Sequence, residues 1–297
     1  MATHFVTGGT GLVGRALIAS LVADGEHVVA LARHPSAIAP LAELGASPVL
    51  GDVGAPGGWQ IDAADADVLW HLALPRVHTP LRSARVRKDS RAAWKGASNA
   101  IADRDATRPV VLASNVLAWG GHGPGPIDEH TPVDPIAMGH WALAAEEALQ
   151  GTPLRTVRLG WAYGEDGLMS DLVRAVAQRR FRIVGTGENK IPLISATDAA
   201  RALRIALDRP PGVYVAVEPD VPTQDELIHH ICQAVGVGRP DHLTHRMAAF
   251  ALGGAMAHAL AATIDVSARR LDEAGWAPTL GWRDSLVQIS RTHARGA

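Results

Sequence analysis

The segment from His4 to Arg33 constrains the fold more strongly than any other part of the sequence. It reads HFVTGGTGLVGRALIASLVADGEHVVALAR, which is an apolar strand, a glycine turn, a segment with apolar residues at helical spacing and a second apolar strand. This order is typical of a βαβ unit, whose two strands are parallel. The sequence therefore predicts an α/β protein built on a parallel sheet.

The turn of this unit has the composition of a phosphate-binding loop. Gly8, Gly11 and Gly14 stand at G-x-x-G-x-x-G spacing between the strand and the helix. Glycine permits a tight turn, close approach of the backbone to a pyrophosphate and close packing of the helix on the strand. The helix N-terminus adds N–H groups and a positive dipole. The pattern predicts a dinucleotide site, and the alternative is a glycine turn without a ligand.

The end of the second strand indicates which dinucleotide is bound. A carboxylate at this point normally accepts hydrogen bonds from the adenosine ribose of NAD. This chain has Ala32, Arg33 and His34 instead. A guanidinium binds a phosphate with a forked set of donors, so Arg33 favours NADP(H) with its 2′-phosphate. The alternative is that Arg33 is a solvated loop charge.

Later segments repeat the strand pattern and alternate with helical ones. They are LGDV at 50–53, VLWHLALP at 68–75, PVVLASNVLAWGG at 109–121 and LRTVRLGWAYG at 154–164. Alternating strands and helices predict a doubly wound parallel sheet, with ligands beyond the carboxyl ends of the strands. The glycine-proline loop at 120–126 is expected to form a rim of this cleft.

Composition argues against several classes of protein. The chain has 28 Lys and Arg against 30 Asp and Glu, and a net charge of −2 gives no general attraction for nucleic acid. Cys232 is the only cysteine, so an intrachain disulfide and a cysteine-based zinc site are excluded. His242 and His245 have i, i+3 spacing without an identifiable third ligand, so we expect no metal. These features suit a cytoplasmic protein.

Two further segments bear on partners. The apolar run at 247–264 approaches the length of a membrane span, but it is rich in small residues and contains His258. We expect a packed or substrate-facing helix there, no membrane partner, and no signal peptide before the first strand.

A run of basic residues follows the fourth strand. It is expected to be a solvated helix face, the alternatives being a phosphorylated or acidic substrate or an RNA-like partner. Its residues are Arg82, Arg85, Arg87, Lys88 and Arg91.

These motifs in this order resemble the extended short-chain dehydrogenase/reductase superfamily, of the NAD-dependent epimerase/dehydratase type. The resemblance covers nearly the whole chain, from TGGTGLVG through GDV, HLAL, PIDEHTPVDPIAMG, ALAAEEAL, VRLGWAYG and GTGENKIPLISATDAARAL to LDEAGWAPTLGWRDSL. It implies a Rossmann-like, doubly wound α/β domain at 1–165 and 191–217. A smaller, mainly C-terminal substrate-binding subdomain would be formed by 166–190 and 218–297.

The resemblance also implies roles for residues of the cofactor site. The glycine turn with Thr10 would hold the pyrophosphate, Arg33 the 2′-phosphate, and the residues after the third and fourth strands the adenine and the middle of the cofactor. The implied set is Gly8, Thr10, Gly11, Leu12, Val13, Gly14, Arg33, Asp52, Val53, Leu72 and Ala73.

The chain departs from this family where the chemistry is expected. The family uses a tyrosine as proton donor or acceptor, a lysine four residues later that lowers the tyrosine pKa, and a serine or threonine that orients the substrate. Alignment on the loop proline and on AAE places Met138 and Ala142 at the tyrosine and lysine positions, and Asn115 at the serine position. No tyrosine or lysine lies between Gly96 and Gln150, so another alignment does not restore the pair.

Three residues are candidates for replacement chemistry. His140 is a candidate proton donor because histidine commonly acts as a general acid. It lies about 200° around the helix from Met138, and the alternative is a surface or capping histidine. Tyr163 is expected in a loop that borders the cleft, as a substrate contact or a packing aromatic. Asn115 is suited to hydrogen-bond a carbonyl or an enolate, or to stabilise its own loop.

We therefore expect an atypical NADP(H)-dependent oxidoreductase acting on a small organic substrate. A conjugated or quinone-like substrate needs little acid catalysis, because its reduced form is stabilised. Two alternatives remain open: a non-redox cyclase, isomerase or dehydratase, and a non-enzymatic NADP(H)-sensing regulator. A homodimer that involves Trp94 and Trp141 also remains open.

Overall fold

The predicted βαβ pattern extends over a seven-stranded sheet. A computed structural model of the chain describes residues 1–77 and 80–294. The strands in chain order are β1 Thr3–Thr7, β2 His27–Ala32, β3 Ser47–Leu50, β4 Val68–His71, β5 Val110–Asn115, β6 Pro126–Ile127, β7 Leu154–Leu159, β8 Trp161–Tyr163, β9 Ile183–Val184, β10 Leu193–Ser195, β11 Gly212–Ala216, β12 His242–Leu243 and β13 Asp265–Val266.

Helices connect the strands. They are α1 Leu12–Ala23, α2 Ile38–Glu43, α3 Trp59–Asp65, α4 Ser83–Ala100, α5 Gly139–Ala148, α6 Leu168–Ala177, α7 Ala196–Leu207, α8 Gln224–Val235, α9 His245–Leu252, α10 Gly254–Ala261, α11 Arg269–Glu273 and α12 Trp282–Ala294, with short 3₁₀ helices at Pro35–Ala37 and Val116–Trp119.

All strands of the central sheet are parallel, and their order is β3-β2-β1-β4-β5-β7-β11. The order reverses between β1 and β4. Strand β1 lies between β2 and β4, and its Phe5 pairs with Val29 of β2 on one side and with Leu69 of β4 on the other. In sheets of this kind, ligands bind outside the carboxyl ends of the strands at the reversal point. The predicted Rossmann-like, doubly wound fold is confirmed.

Both faces of the sheet are buried, which explains why its strands are almost continuously apolar. Successive side chains point to opposite faces, so Phe5 and Leu69 join one apolar cluster with Trp59, while Val6 and Trp70 join the other. Helices α1 and α7 pack together, as do α4 and α5. The sheet is therefore the middle of a three-layer arrangement.

A smaller unit lies on the C-terminal side. Helix α12 packs on α6 and α8, around an apolar core that includes Tyr163, Val173, Ile228 and Trp282. The segment from Met256 to Trp276 contributes instead to the large cluster beside the sheet. A smaller C-terminal unit is thus present, and the residue limits of the two domains stay a prediction.

The apolar run at 247–264 is not one helix. It breaks at Gly253, whose φ is +83°, into α9 and α10. A side chain at Gly253 would lie 2.3 Å from the carbonyl oxygen of Leu81, so only glycine fits this junction. Within the described part of the chain, no helix is both long and apolar enough to cross a bilayer.

Candidate functional site

The glycine turn after β1 is a tight backbone cradle. Gly8 adopts φ +73°, and a Cβ there would lie 2.6 Å from the carbonyl group of Leu72. A Cβ on Gly14 would lie 2.3 Å from the carbonyl oxygen of Gly8. The Gly11 N–H donates to that same oxygen at 2.9 Å and closes the turn. Side chains are therefore excluded at Gly8 and Gly14 for two different reasons, backbone conformation and helix–turn packing.

Helix α1 begins immediately after this turn and points its N-terminus at the carboxyl edge of the sheet. Its N-cap is Gly11, which has no side chain to bond the first N–H groups. Uncapped N–H groups and the helix dipole together suit an anion. The arrangement has the geometry that a pyrophosphate requires.

A cavity of about 730 Å³ runs along this edge of the sheet. Most of the residues predicted for the cofactor line it, whereas Leu12, Val13 and Gly14 form the first turn of α1 behind it. The predicted residues among the lining are Gly8, Thr10, Gly11, Arg33, Asp52, Val53, Leu72 and Ala73. The fold thus brings together segments that are far apart in sequence.

The far end of the cavity has the chemistry predicted for an adenosine phosphate. Arg33 follows the last residue of β2 and is exposed, with His34 and Ser36 also in the lining. Asp52 accepts a hydrogen bond from the N–H of Gly54 at 2.8 Å, which fixes the turn after β3. A cation therefore lies where NAD-binding proteins place a carboxylate.

Three more guanidinium groups line the cavity, and the sequence reasoning did not assign them to it. They belong to Arg15, Arg76 and Arg85. Arg15 directly follows Gly14, so its position next to the glycine turn could have predicted that it lines the cavity. Arg76 and Arg85 come from the loop after β4 and from α4, which only the tertiary fold places here. The Nε–H of Arg85 is shared between the two carboxylate oxygens of Asp89, at 2.9 and 2.7 Å.

Arg15 also connects the cavity to the smaller unit. Its guanidinium donates to the carbonyl oxygen of Thr10 and to Asp166, both at 2.7 Å. In the same loop, a Cβ on Gly164 would lie 2.6 Å from a methyl group of Leu12. The loop between β8 and α6 therefore rests on the first turn of α1.

The positions of the missing catalytic pair are closed and apolar. Met138 is 6% exposed and Ala142 is fully buried. Met138 shares a cluster with Ile136, Leu81 and Met256. Neither residue is among those that line the 730 Å³ cavity. This end of the cleft therefore has no side chain suited to exchange a proton at the two positions where the family does so.

Asn115 lies at the end of β5 and holds the loops around it. Its Oδ1 accepts from the N–H of Leu117 at 3.1 Å, and its Nδ2 donates to the carbonyl oxygen of Met138 at 3.3 Å. An amide nitrogen carries two protons, so one Nδ2–H of this half-buried residue is left for a substrate oxygen. Both readings of Asn115, loop stabiliser and substrate donor, are compatible with this geometry.

The neighbouring Ser114 belongs to a buried charge network. Its hydroxyl donates to Glu146 at 2.7 Å, and Arg158 donates to both carboxylate oxygens of Glu146 at 3.1 and 2.7 Å. The Arg158 guanidinium also lies 4.2 Å from the ring centroid of Trp119. Every partner in this network is satisfied, so it fixes the end of β5 rather than supplying a mobile proton.

His140 and Tyr163 differ sharply in exposure. His140 is exposed on the first turn of α5. Tyr163 is in β8 rather than in a loop, is 2% exposed, and donates its hydroxyl proton to Glu218 at 2.5 Å. Burial, followed by the bond to Glu218, raises the pKa of Tyr163 far above its usual range. This geometry supports the packing reading of Tyr163 over the substrate-contact reading.

No cluster of metal-ligating side chains is found in the described residues. His242 is occupied by a hydrogen bond to the carbonyl oxygen of Gly185 at 2.9 Å, and the ring of His245 lies 6.4 Å from that of His258.

Two known reductases are similar to this chain in sequence. A relative from Stigmatella aurantiaca, 4-hydroxy-2-methyl-3-oxo-4-farnesyl-3,4-dihydroquinoline-1-oxide ketoreductase, is 29% identical over 70% of this chain and 65% of its own length. The 2-alkyl-3-oxoalkanoate reductase of Stenotrophomonas maltophilia (strain K279a) is 26% identical over 84% of this chain and 80% of its own.

Solved structures share the fold. Human epimerase family protein SDR39U1, in complex with NADPH, superposes with a TM-score of 0.79 at 22% identity, covering 97% of this chain and 99% of its own. MoeE5 with UDP-glucose and NAD superposes with a TM-score of 0.77 at 20% identity, covering 98% and 99%. Residues 4–216 match the model of the NAD dependent epimerase/dehydratase family. The chain therefore belongs to the NAD-dependent epimerase/dehydratase family.

Proposed function

We propose that the protein is a cytoplasmic NADP(H)-dependent oxidoreductase that acts on a lipophilic substrate whose reduced form is stabilised by conjugation. The observation that carries the proposal is the contrast within one cleft. A complete dinucleotide groove ends in Arg33 at the adenosine side, while Met138 and Ala142 occupy the positions of the family's proton-transfer pair.

The preference for NADP(H) rests on charge. Arg33 is exposed at the end of β2, and no carboxylate follows that strand before β3 apart from Glu43 at the end of α2. A 2′-phosphate next to a guanidinium forms charge-assisted hydrogen bonds, each of which is about twice as strong as a neutral one. NADH has a hydroxyl at that position and gains much less from Arg33.

The reaction class follows from what the chain's residues can do. Bound NADPH supplies a hydride. The spare Nδ2–H of Asn115 orients a substrate oxygen and stabilises the negative charge that develops on it. The proton then comes from water or from exposed His140. When the product is an enolate or an aromatic ring, the proton is not needed during hydride transfer, because conjugation stabilises the negative charge. A quinone-like ring, or an enone that accepts the hydride at its β carbon, meets this requirement, whereas an isolated ketone does not.

The relatives support redox chemistry on a lipophilic substrate. The names of two of them describe reduction of 3-oxo compounds that carry a farnesyl or an alkyl group. A third relative, from Dictyostelium discoideum, is named as a decarboxylating sterol-4-alpha-carboxylate 3-dehydrogenase and is 24% identical over 70% of this chain. These are redox enzymes with apolar substrates, and the apolar surroundings of Met138 suit such a substrate better than a sugar.

The first experiment measures cofactor binding. Titration with NADPH and NADH, followed by energy transfer from tryptophan to nicotinamide, is expected to show tighter binding of NADPH. Replacement Arg33→Ala is expected to weaken NADPH binding by about 10- to 100-fold and to leave NADH unchanged, because only the contact to the 2′-phosphate is lost. Arg180→Ala, which removes an exposed arginine of the smaller unit, serves as the matched control. Equal loss for both nucleotides would contradict the assignment of Arg33.

The second experiment separates oxidation and reduction from the rival functions. NADPH consumption is measured with quinones, enones and 3-oxo esters of increasing chain length. Consumption of NADPH with a conjugated substrate supports the proposal. Conversion of a substrate without net consumption would instead identify a cyclase, isomerase or dehydratase. Tight nucleotide binding with no conversion of any compound would identify a sensor of NADP(H).

A further inference from the structure

Helix α9 carries an apolar face that is exposed on the outside of the molecule. Phe250 is 90% exposed and Met247 is 57% exposed. The two residues are one helical turn apart, and Ala251, also exposed, lies on the same side of the helix. Single exposed apolar residues are common, but adjacent large ones usually mark a surface that binds another apolar phase.

The helix that presents this face is firmly held. The hydroxyl of Thr244 caps α9 by accepting a hydrogen bond from the N–H of Met247 at 3.3 Å. Ala248 on the opposite side is fully buried. At the end of the helix, the carbonyl oxygen of Leu252 accepts from the N–H of Leu81 at 2.7 Å. The exposure of Met247 and Phe250 is therefore a property of an ordered, anchored helix.

The surroundings of this face are positively charged, although the whole chain has a net charge of −2. No Asp or Glu occurs from His242 to Ile264. Arg246 is exposed beside Met247, and exposed Arg82 directly follows Leu81, which bonds to Leu252. Neither Arg82 nor Arg246 forms an ion pair with another of the described residues.

We propose that this surface, formed by Met247 and Phe250 and flanked by Arg82 and Arg246, docks on an anionic lipid bilayer. Apolar side chains enter the boundary between headgroups and acyl chains, while basic residues contact anionic headgroups. A bilayer satisfies both requirements at once. A second copy of this chain satisfies them poorly, because a twofold contact through this face would bring like charges together. This mode of binding needs no spanning helix, since α9 would lie on the membrane and not cross it.

The position of this surface relates it to the cleft. Helix α10 continues directly from α9 beyond Gly253, and its Met256 packs in the same cluster as Met138 and Leu81. The helix that follows the docking surface thus belongs to the same apolar cluster as Met138. The docking surface does not depend on which reaction occurs there, so it is tested without a substrate.

The test is co-sedimentation of the purified full chain with vesicles. Two kinds of vesicle are compared, phosphatidylcholine alone and phosphatidylcholine mixed with phosphatidylglycerol, each at low and at physiological ionic strength. We expect binding to the mixed vesicles that is weakened by salt. Phe250→Ser is expected to reduce the partition coefficient by about tenfold or more. Arg82→Glu is expected to reduce it by about tenfold on the anionic vesicles only.

Ile61→Ser provides the matched control, because Ile61 is 68% exposed on α3 and belongs to a different surface. It is expected to leave vesicle binding unchanged. The proposal is overturned if the unmodified chain stays in the supernatant with both kinds of vesicle, or if Ile61→Ser weakens binding as much as Phe250→Ser. It is also overturned if Phe250→Ser converts a dimer into a monomer in gel filtration without lipid, since a second copy would then cover this face.

Discussion

The two ends of the cleft differ in both openness and chemistry. The dinucleotide end is an open cavity of about 730 Å³ with guanidinium groups from four segments of the chain. The catalytic end is closed, and Met138 and Ala142 are 6% and 0% exposed. Holding a cofactor requires backbone geometry and fixed charge, whereas moving a proton requires a titratable side chain in a particular place. The difference teaches that the backbone geometry and fixed charge suited to a cofactor do not depend on the side chains that usually move the proton.

The largest expected effect tests the open end. Gly14→Val places a Cβ where the carbonyl oxygen of Gly8 would be 2.3 Å away, so the turn and α1 must separate. We expect nucleotide binding to weaken by about a thousandfold or more, measured by the fluorescence titration. Gly58→Ala is the control, because a Cβ at Gly58 meets nothing within 4 Å. Near-normal binding by Gly14→Val would show that the turn does not hold the nucleotide.

A second prediction tests whether the catalytic end is closed. Ala142→Lys restores the family's lysine but places an ammonium group at a fully buried position, where Glu146, one helical turn away, already accepts hydrogen bonds from Ser114 and Arg158. We expect the free energy of unfolding, measured by urea titration without nucleotide, to fall by about 3 kcal/mol. Glu147→Lys, at an exposed position of the same helix, is expected to change it by less than about 0.5 kcal/mol. Equal stability of the two variants would mean that the catalytic end is open.

A third prediction concerns His71, which lies between the two ends at the last position of β4. Its ring is fully buried, with Nδ1 3.0 Å from the hydroxyl of Thr7, and burial lowers the pKa of His71 from 6.5 to about 4. The unfolded chain therefore binds a proton between these pH values that the folded chain does not. As a result, the free energy of unfolding is expected to decrease by about 3 kcal/mol as the pH falls from about 6.5 to 4.

Urea titrations across this pH range measure that slope. His71→Asn should remove most of it, while His140→Ala should keep it, because His140 is exposed. An unchanged slope in His71→Asn would assign the pH dependence to other groups. Buried His4, whose pKa is also lowered by burial, is the next candidate.

The smallest expected effect sharpens the assignment of Tyr163. Tyr163→Phe removes the donor to Glu218, whose own pKa burial raises, and leaves that buried carboxylate with the N–H of Trp282 at 2.8 Å. We expect a loss of stability of about 1 to 2 kcal/mol and a change in kcat of less than about twofold, since the hydroxyl is not in the cavity. A tenfold fall in kcat at unchanged stability would return Tyr163 to the catalytic residues.

The parts of the molecule that sequence predicts well depend on local signals. The glycine turn, the apolar strands and the Arg33 position are each determined by neighbouring residues. The doubly wound fold therefore follows from the sequence, and most of the residues predicted for the cofactor line the cavity. Arg76 and Arg85 are different, since they reach the cavity only because the β4 loop and α4 pack beside it. Their contribution depends on the tertiary structure, which no short pattern encodes.

The same reason explains two differences between the expected and the observed structure. Tyr163 precedes a glycine and was expected in a loop, but it lies in β8 and donates to Glu218, which is 55 residues later. The run at 247–264 has uniform apolarity, and its break at Gly253 depends on contact with Leu81. The absence of the tyrosine and lysine pair, in contrast, can be read directly from the sequence, because the two positions are found by counting residues from a recognisable loop.

The contact of Arg15 with Asp166 has a thermodynamic consequence. It joins the glycine turn to the loop that leads into the smaller unit, and Leu12 under Gly164 adds a packed contact at the same place. A ligand that takes over the Arg15 guanidinium would release Asp166 and with it that loop. If the loop contacts the substrate, each of the two ligands changes the affinity for the other by the same factor.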